Sequence, residues 1–379
     1  MTPLLTRIEQ ELAVCTNPLH EAELLAERAC YFARTGNFAD AKAIAAALRH
    51  SYGDGRSVSI SIWIMLIEGL VLFFDSDVHN SRDRIYRAHA ISKSAGLSRL
   101  RALTGVWLAH MEFEGARYNA MAQIVIDTID VIDLNAHDSQ SRLGIVLGDA
   151  FLYAGDRRQS QFWYERARWH ATEIGDQATV GALMYNRPAF ALSLHRASLC
   201  AGIVPSDALQ LKFIKLELES ATSFQLGTGV RALTYLVELC EARVATLEGR
   251  FQVASNLFAD LRERAKTAHN SADRVSVEID LAWCLAKTGR FDETNKIVST
   301  IIPADIERLD IDDRLIAVWA LEDIGGLSKS IPPIINDVIN VAQMSLTYKI
   351  DLDELRKALN VVNKEISNWS SFIEKSEYF

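Results

Sequence analysis

Small and apolar residues recur along the chain at fixed distances from a turn residue. In residues 147–167, LGDAFLYAGDRRQSQFWYERA, the turn residue is Gly155. Small, aromatic or aliphatic residues stand seven and four positions before it and five, nine and twelve positions after it. This spacing lets two antiparallel helices approach closely, while the larger side chains fill the gap between them. The pattern therefore predicts a helical hairpin that turns at a glycine in left-handed backbone.

The same pattern recurs around residues 36, 76, 115, 155, 202, 249 and 289, in steps of 40, 39, 40, 47, 47 and 40 residues. The copies at 115 and 202 fit more loosely, and in the second of these His195 takes the place of the small residue. Repeat boundaries between residues 175 and 226 stay open for this reason. Each hairpin leaves an apolar face uncovered, which stacking on its neighbours would bury. The sequence therefore predicts one helical repeat array over residues 1–303.

The chain beyond the array also has a helical pattern. Residues 304–347 are interpreted as a degenerate eighth hairpin that turns around Gly325 and Gly326. Residues 348–379 are predicted to form an amphipathic C-terminal capping helix, with Asp351 as its N-cap. Such a helix would cover the apolar end that a repeat array leaves.

The order of a Leu-Gly pair, an aromatic residue, a turn glycine, a small residue, an aromatic residue and an alanine in residues 147–167 resembles a tetratricopeptide repeat. The step of about forty residues is similar to the repeats of the maltose-regulon type of bacterial transcription activator. Bacterial peptide-pheromone receptors are similar in size and repeat content. The resemblance implies an all-α fold: a right-handed α–α superhelix, or solenoid, of about seven to eight helical hairpins.

Composition and charge agree with a helical protein that stays in the cytoplasm. Hydrophobic residues make up 49% of the 379 residues, only seven are proline, and the net charge of −9 argues against a nucleic-acid-binding surface. Residues 58–74 are an apolar run of 17 residues that contains Glu68, which predicts a buried helix rather than a membrane span. The amino terminus lacks a signal-peptide pattern, and the five cysteines stand singly without CxxC spacing, as is typical of a reduced cytoplasmic protein.

The sequence carries few signs of catalysis or of a bound cofactor. It has no Walker loop, HExxH, GxSxG or dinucleotide-binding motif. The histidines are dispersed, and His89 and His110 are interpreted as packing residues inside helices. We therefore predict no enzyme activity, no cofactor and no metal site. An enzyme built on the irregular central repeats, around His195, Asn186 and Arg187, remains a third reading.

In repeats that this chain resembles, the first helix of each hairpin lines a concave groove. Counting back from each turn residue selects groove positions that begin strongly apolar and later become rich in arginine. These positions are Trp63, Phe73, Phe74, Phe113, Arg142, Asp149, Tyr153, Asn186, Arg187, Arg196, Arg243 and Trp283. Aromatic residues at helical spacing also fill helical cores, and this is the alternative for Trp63, Phe73 and Phe74.

Arginine can hold a carboxylate with two hydrogen bonds, and aromatic side chains offer large contact areas. The groove therefore suits a protein or peptide segment with an acidic group or a free carboxyl terminus. The alternative for Arg142, Arg196 and Arg243 is an ion pair with Asp149, Glu241 or another carboxylate of a neighbouring repeat, since a buried arginine needs a partner.

The function expected from these features is non-enzymatic binding of a partner segment. The alternative is a ligand- or peptide-sensing regulatory protein without its own DNA-binding domain, since only about twenty residues precede the first repeat. No membrane partner is expected, and the sequence leaves homo-oligomer formation open.

Overall fold

The computed structural model describes residues 2–53, 55–75, 77–202, 208–228, 233–265, 271–327 and 340–368. Within these ranges the chain is all-α and contains no strand. Its helices, in chain order, are α1 (Pro3–Val14), α2 (Pro18–Arg34), α3 (Phe38–Tyr52), α4 (Val58–Phe74), α5 (Val78–Ser94), α6 (Ser98–Glu114), α7 (Tyr118–Ile129), α8 (His137–Tyr153), α9 (Arg157–Glu173), α10 (Gln177–Cys200), α11 (Ala208–Thr228), α12 (Thr234–Leu247), α13 (Phe251–Ala265), α14 (Ser271–Lys287), α15 (Phe291–Val298), α16 (Pro303–Glu307), α17 (Ile311–Leu327) and α18 (Val341–Asn368).

The helices fall into two compact units. Unit 1 takes the described residues of Met1–Leu183 and Asp353–Phe379, and unit 2 takes those of Met184–Gly229 and Leu233–Leu352. Both α10 and α18 therefore contribute residues to both units. This division rests on packing rather than on the repeat pattern, so the predicted segments 1–303, 304–347 and 348–379 stay a prediction.

Consecutive helices pack as pairs on either side of the predicted turns. In unit 1 the pairs are α2/α3, α4/α5, α6/α7 and α8/α9, and the first helices α2, α4, α6 and α8 pack in a row. In unit 2 the pairs are α12/α13 and α14/α15. The helices that flank Gly202, α10 and α11, belong to one hydrophobic cluster, which includes Leu192 of α10 with Ile214 and Leu218 of α11. His195 lies on α10 where most of the other pairs have a glycine or an alanine.

The turn residues have the predicted backbone at most positions. Gly36, Gly155, Gly249 and Gly289 have φ angles of 82, 88, 73 and 77°. At 115 the prediction is wrong, because Gly115 has a φ of −86° and the following residue, Ala116, has a φ of 52°. Position 76 lies outside the described residues.

The shift at this turn has a visible cause in Arg117. Its guanidinium folds back and donates to the carbonyl oxygen of Met111 at 3.1 Å and to the carboxylate of Glu112. These hydrogen bonds occupy the end of α6 and move the left-handed residue one position along the chain.

The pair α8/α9 shows why the sequence has glycines before the turn. A Cβ atom at Gly148 would lie 2.5 Å from the ring of Tyr164, and one at Gly144 would lie 2.8 Å from the carbonyl oxygen of Trp163. Both distances are shorter than any real contact of a Cβ atom, so only glycine allows this approach of the helices.

The end of the chain differs from its prediction. Gly325 and Gly326 lie inside α17 rather than in a turn, and the second arm of the predicted hairpin falls partly in residues 328–339, outside the described residues. Helix α18 begins at Val341, ten residues before the predicted N-cap Asp351. The capping residue is Asn340, whose side-chain oxygen accepts a hydrogen bond from the backbone N–H of Gln343 at 2.8 Å.

The apolar run of residues 58–74 forms α4, as a buried helix. Its residues Ile60, Ile62, Leu66 and Leu70 are fully buried in the hydrophobic core of unit 1. No helix in the described part of the chain is both long enough and apolar enough to span a bilayer.

Candidate functional site

All three groove arginines predicted in unit 2 pair with carboxylates of their own unit. Arg196 pairs with Asp280, and Arg243 lies 3.2 Å from both Asp280 and Asp313. Burial opposes the charge on Arg243, but the charges of Asp313 and Asp280 outweigh this effect and raise its pKa. The ion-pair alternative is therefore correct for Arg196 and Arg243, with carboxylates from α14 and α17 in place of Glu241.

The remaining predicted residues of unit 2 also have partners. Arg187 is half-exposed and pairs with Glu217 at 3.0 Å. Trp283 is half-buried, and its indole N–H donates to Asp323 at 2.7 Å. Asn186 is partly buried and has partners of its own. Nothing in these contacts distinguishes a ligand-binding surface from ordinary packing between helices.

In unit 1 several predicted groove residues belong to the interior. Trp63 is only 2% exposed and lies in the hydrophobic core, so the core alternative is correct for it. Phe113 and Tyr153 are buried and contact each other edge to face, with ring centres 6.4 Å apart. Asp149 is fully buried and accepts a hydrogen bond from the Tyr164 hydroxyl at 2.5 Å. These side chains hold neighbouring helices together.

Arg142 differs from the other three predicted arginines. It is 6% exposed, and its guanidinium carbon lies 3.7 Å from the centre of the Trp107 ring. Among the described residues, no carboxylate forms an ion pair with it. Burial lowers the pKa of Arg142 to about 9, and the positive charge of Arg34 adds to this effect. Arg142 is thus a buried cation whose counter-charges, Asp176 and Asp149, act only from a distance.

Trp107, which contacts Arg142, belongs to a group of aromatic residues and a histidine. Trp107 and His110 lie one turn apart on α6, with ring centres 6.0 Å apart. Phe73 and Phe74, at the end of α4, are half-buried and contact His110 and Trp107 edge to face at 5.4 and 6.2 Å. The Nδ1 atom of His110 is buried and has no hydrogen-bond partner. We call Trp107, His110 and Arg142, with Phe73 and Phe74, the Arg142 cluster.

The start of α10 returns to α2 beside this cluster. Arg34 of α2 pairs with Asp176 at 2.6 Å and donates to Thr179 at 2.9 Å. On the same side, Leu4 of α1 donates its N–H to the carbonyl oxygen of Gly175 at 3.3 Å. These contacts hold residues 175–179, at the start of α10, against α1 and α2.

Sequence reasoning found Arg142, Phe73 and Phe74 but missed Trp107 and His110. These two residues stand eight and five positions before Gly115, outside the positions that the groove pattern selects. His110 was interpreted as a packing residue, and its ring does pack against Phe73 and Trp107. The sequence offered one signal for them: Trp107 and His110 stand three positions apart, about one helical turn, and so share a face of the helix.

His110 should make the protein less stable in acid. Burial, together with the charge of Arg142, lowers its pKa to about 3, whereas a histidine of the unfolded chain titrates near ~6.5. Between these values the unfolded chain binds a proton that the folded chain does not, so stability falls as the pH falls. From pH 7 to pH 5 this single group should remove about 2 kcal/mol from the free energy of unfolding.

Urea denaturation at both pH values, with the variant His110→Phe as control, measures this effect. The phenyl ring keeps the edge-to-face packing but cannot titrate, so the variant should lose about 2 kcal/mol less than the wild type. Equal losses in the two proteins would show that His110 does not carry this dependence.

The described residues contain no group of three or more histidine, cysteine, aspartate or glutamate side chains that could hold a metal ion. The side chains of the Arg142 cluster offer a positive charge, an imidazole nitrogen and aromatic faces. The chain matches no protein-family model and no curated protein.

Proposed function

We propose that the chain is a non-enzymatic binding module of tetratricopeptide-like repeats, which binds a segment of a protein or peptide partner. The repeated pattern and the packed helix pairs support this reading, and a right-handed superhelix of about seven to eight hairpins is the arrangement that such repeats imply. The free cysteines, four of them buried, are compatible with a reduced cytoplasmic protein.

The observation that carries the proposal is the state of Arg142. A buried guanidinium without an ion-pair partner is unfavourable, because its charge has lost water and gained no close counter-charge. An acidic group of a partner would supply that counter-charge. The rings of Phe73 and Phe74 pack against the core and contact His110 and Trp107, and their half-exposed faces offer apolar contact area to the same segment.

A capture experiment tests the proposal. Tagged wild-type chain and the variants Arg142→Gln and Arg290→Gln are incubated with extract of the native cell, and bound proteins are quantified by mass spectrometry. Losing an anchor of this kind typically costs at least 2 kcal/mol, so Arg142→Gln should retain less than about a tenth of the partner. Arg290→Gln should retain all of it, because Arg290 is exposed, pairs with Glu293 and lies outside the predicted groove. Equal capture by all three proteins would contradict the proposal.

A ligand-sensing regulatory protein is the second candidate. It has the same support in the buried Arg142, whose charge a small anionic ligand would also pair with. A change of the small-angle scattering profile on addition of a ligand would support it. An unchanged profile across peptide and metabolite libraries would count against it.

A further inference from the structure

We infer that Arg142 and His110 together bind one oxyanion, a carboxylate or a phosphate group, with Trp107 as the floor of the site. This inference rests on the proposed function for its biological use, and it adds the chemistry of the bound group and the role of His110.

The orientation of Arg142 leaves its hydrogen-bond donors available. Its guanidinium lies over the ring of Trp107 at 3.7 Å, so a ring atom is the neighbour on one face. The N–H groups of a guanidinium lie in its plane and point away from its edges. Within the described part of the chain these N–H groups reach no carboxylate. Two of them match the two oxygens of a carboxylate or phosphate, which is the strongest pairing that arginine makes.

His110 adds a second donor to the site. Its Nδ1 atom is buried and without a hydrogen-bond partner, whereas its Nε2 atom lies 4.0 Å from Glu114, too far for a hydrogen bond. A neutral imidazole carries one N–H and can place it on either nitrogen. An oxyanion beside Nδ1 favours the tautomer that donates from this atom. A buried polar atom without a partner is unfavourable in the free protein and gains most from a ligand.

The surrounding charges select an anion rather than a cation. Arg34 forms an ion pair with Asp176 at 2.6 Å. Asp149 already accepts a hydrogen bond from the hydroxyl of Tyr164. The charge of Arg142 is the one left without a close counter-charge in this cluster. Because the site is buried, an anion there meets little competition from water.

Titration of the full chain with acetate and with inorganic phosphate tests the inference, at constant ionic strength with chloride as the reference anion. The signal is the fluorescence of Trp107, taken as the difference between the wild type and the variant Trp107→Phe. We expect saturable quenching or enhancement of the fluorescence by acetate, by phosphate or by both. The anion that binds with the higher affinity identifies the bound group as a carboxylate or a phosphate. A wild type that responds to neither anion beyond the chloride reference would overturn the inference.

Matched variants connect the signal to the two residues. Arg142→Met should abolish saturation, and His110→Phe should weaken the affinity about tenfold, since a hydrogen bond to a charged group is lost. Arg290→Met, at an exposed arginine outside the predicted groove, should behave as the wild type. If Arg142→Met does not fold, Arg142→Lys replaces it, with an expected loss of about tenfold because an ammonium cannot form the paired hydrogen bonds. An unchanged affinity in these Arg142 and His110 variants would also overturn the inference.

The two proposals fail in different ways. If the anions bind but partner capture does not depend on Arg142, the oxyanion site stands and the proposed function fails. If capture depends on Arg142 but neither anion binds, the proposed function stands and the oxyanion site fails.

Discussion

Replacing Asp280 with asparagine is expected to lower the free energy of unfolding by about 3–5 kcal/mol. The carboxylate of Asp280, on α14, pairs with Arg196 of α10 and Arg243 of α12. The asparagine side chain keeps the shape but removes the charge, so Arg196, whose side chain is 5% exposed, stays buried without its counter-charge. Urea denaturation followed by circular dichroism measures the loss.

The control is Asp260→Asn on α13. Asp260 pairs with Arg264 at 3.3 Å, but both side chains are exposed, so this substitution should change the stability by less than about 0.5 kcal/mol. If Asp280→Asn lowered the free energy of unfolding as little as the control does, the ion pairs of Asp280 with Arg196 and Arg243 would not hold the helices of unit 2 together.

The second large effect is expected at Gly144. Alanine at this position is expected to destabilise the protein by about 1–3 kcal/mol, although alanine is the better helix former. The added methyl group would lie 2.8 Å from both the Trp163 carbonyl oxygen and the Ala167 side chain. Because the nearest atoms include backbone of α9, the two helices must separate to admit it. Thermal unfolding of the variant measures the effect.

Gly325→Ala is the matched substitution without a close neighbour. Gly325 is exposed near the end of α17, and a Cβ atom there would meet no atom within 4 Å. This variant should gain up to about 1 kcal/mol from the lower entropy of the unfolded chain. If Gly144→Ala were stabilising to the same extent, the close approach of α8 and α9 would not be what selects glycine.

The helices and most turns could be predicted because they depend on local sequence. Gly36, Gly155, Gly249 and Gly289 each end a helix in left-handed backbone, which few other residues adopt without strain. The prediction failed at Gly115, where the long side chain of Arg117 reaches back over the turn. Such a contact depends on three-dimensional geometry and leaves no periodic signal.

The candidate site could be predicted only in part. The position of Arg142 in the repeat selected it as a groove residue, but the same argument selected Arg196 and Arg243, which pair with Asp280. The difference between them depends on Asp280, which lies 84 residues from Arg196 and 37 from Arg243. Pairing over such distances depends on how α10, α12 and α14 pack, and the repeat pattern does not specify it.

The central claim is that the partner binds next to Arg142, and site-specific photocrosslinking tests it most directly. A benzophenone amino acid replaces the half-buried Phe74 in one protein and the exposed Phe162 of α9 in another. We expect irradiation in cell extract to join the partner to the chain through position 74 and not through position 162. Crosslinking through position 162 alone, or equally through both positions, would contradict the claim.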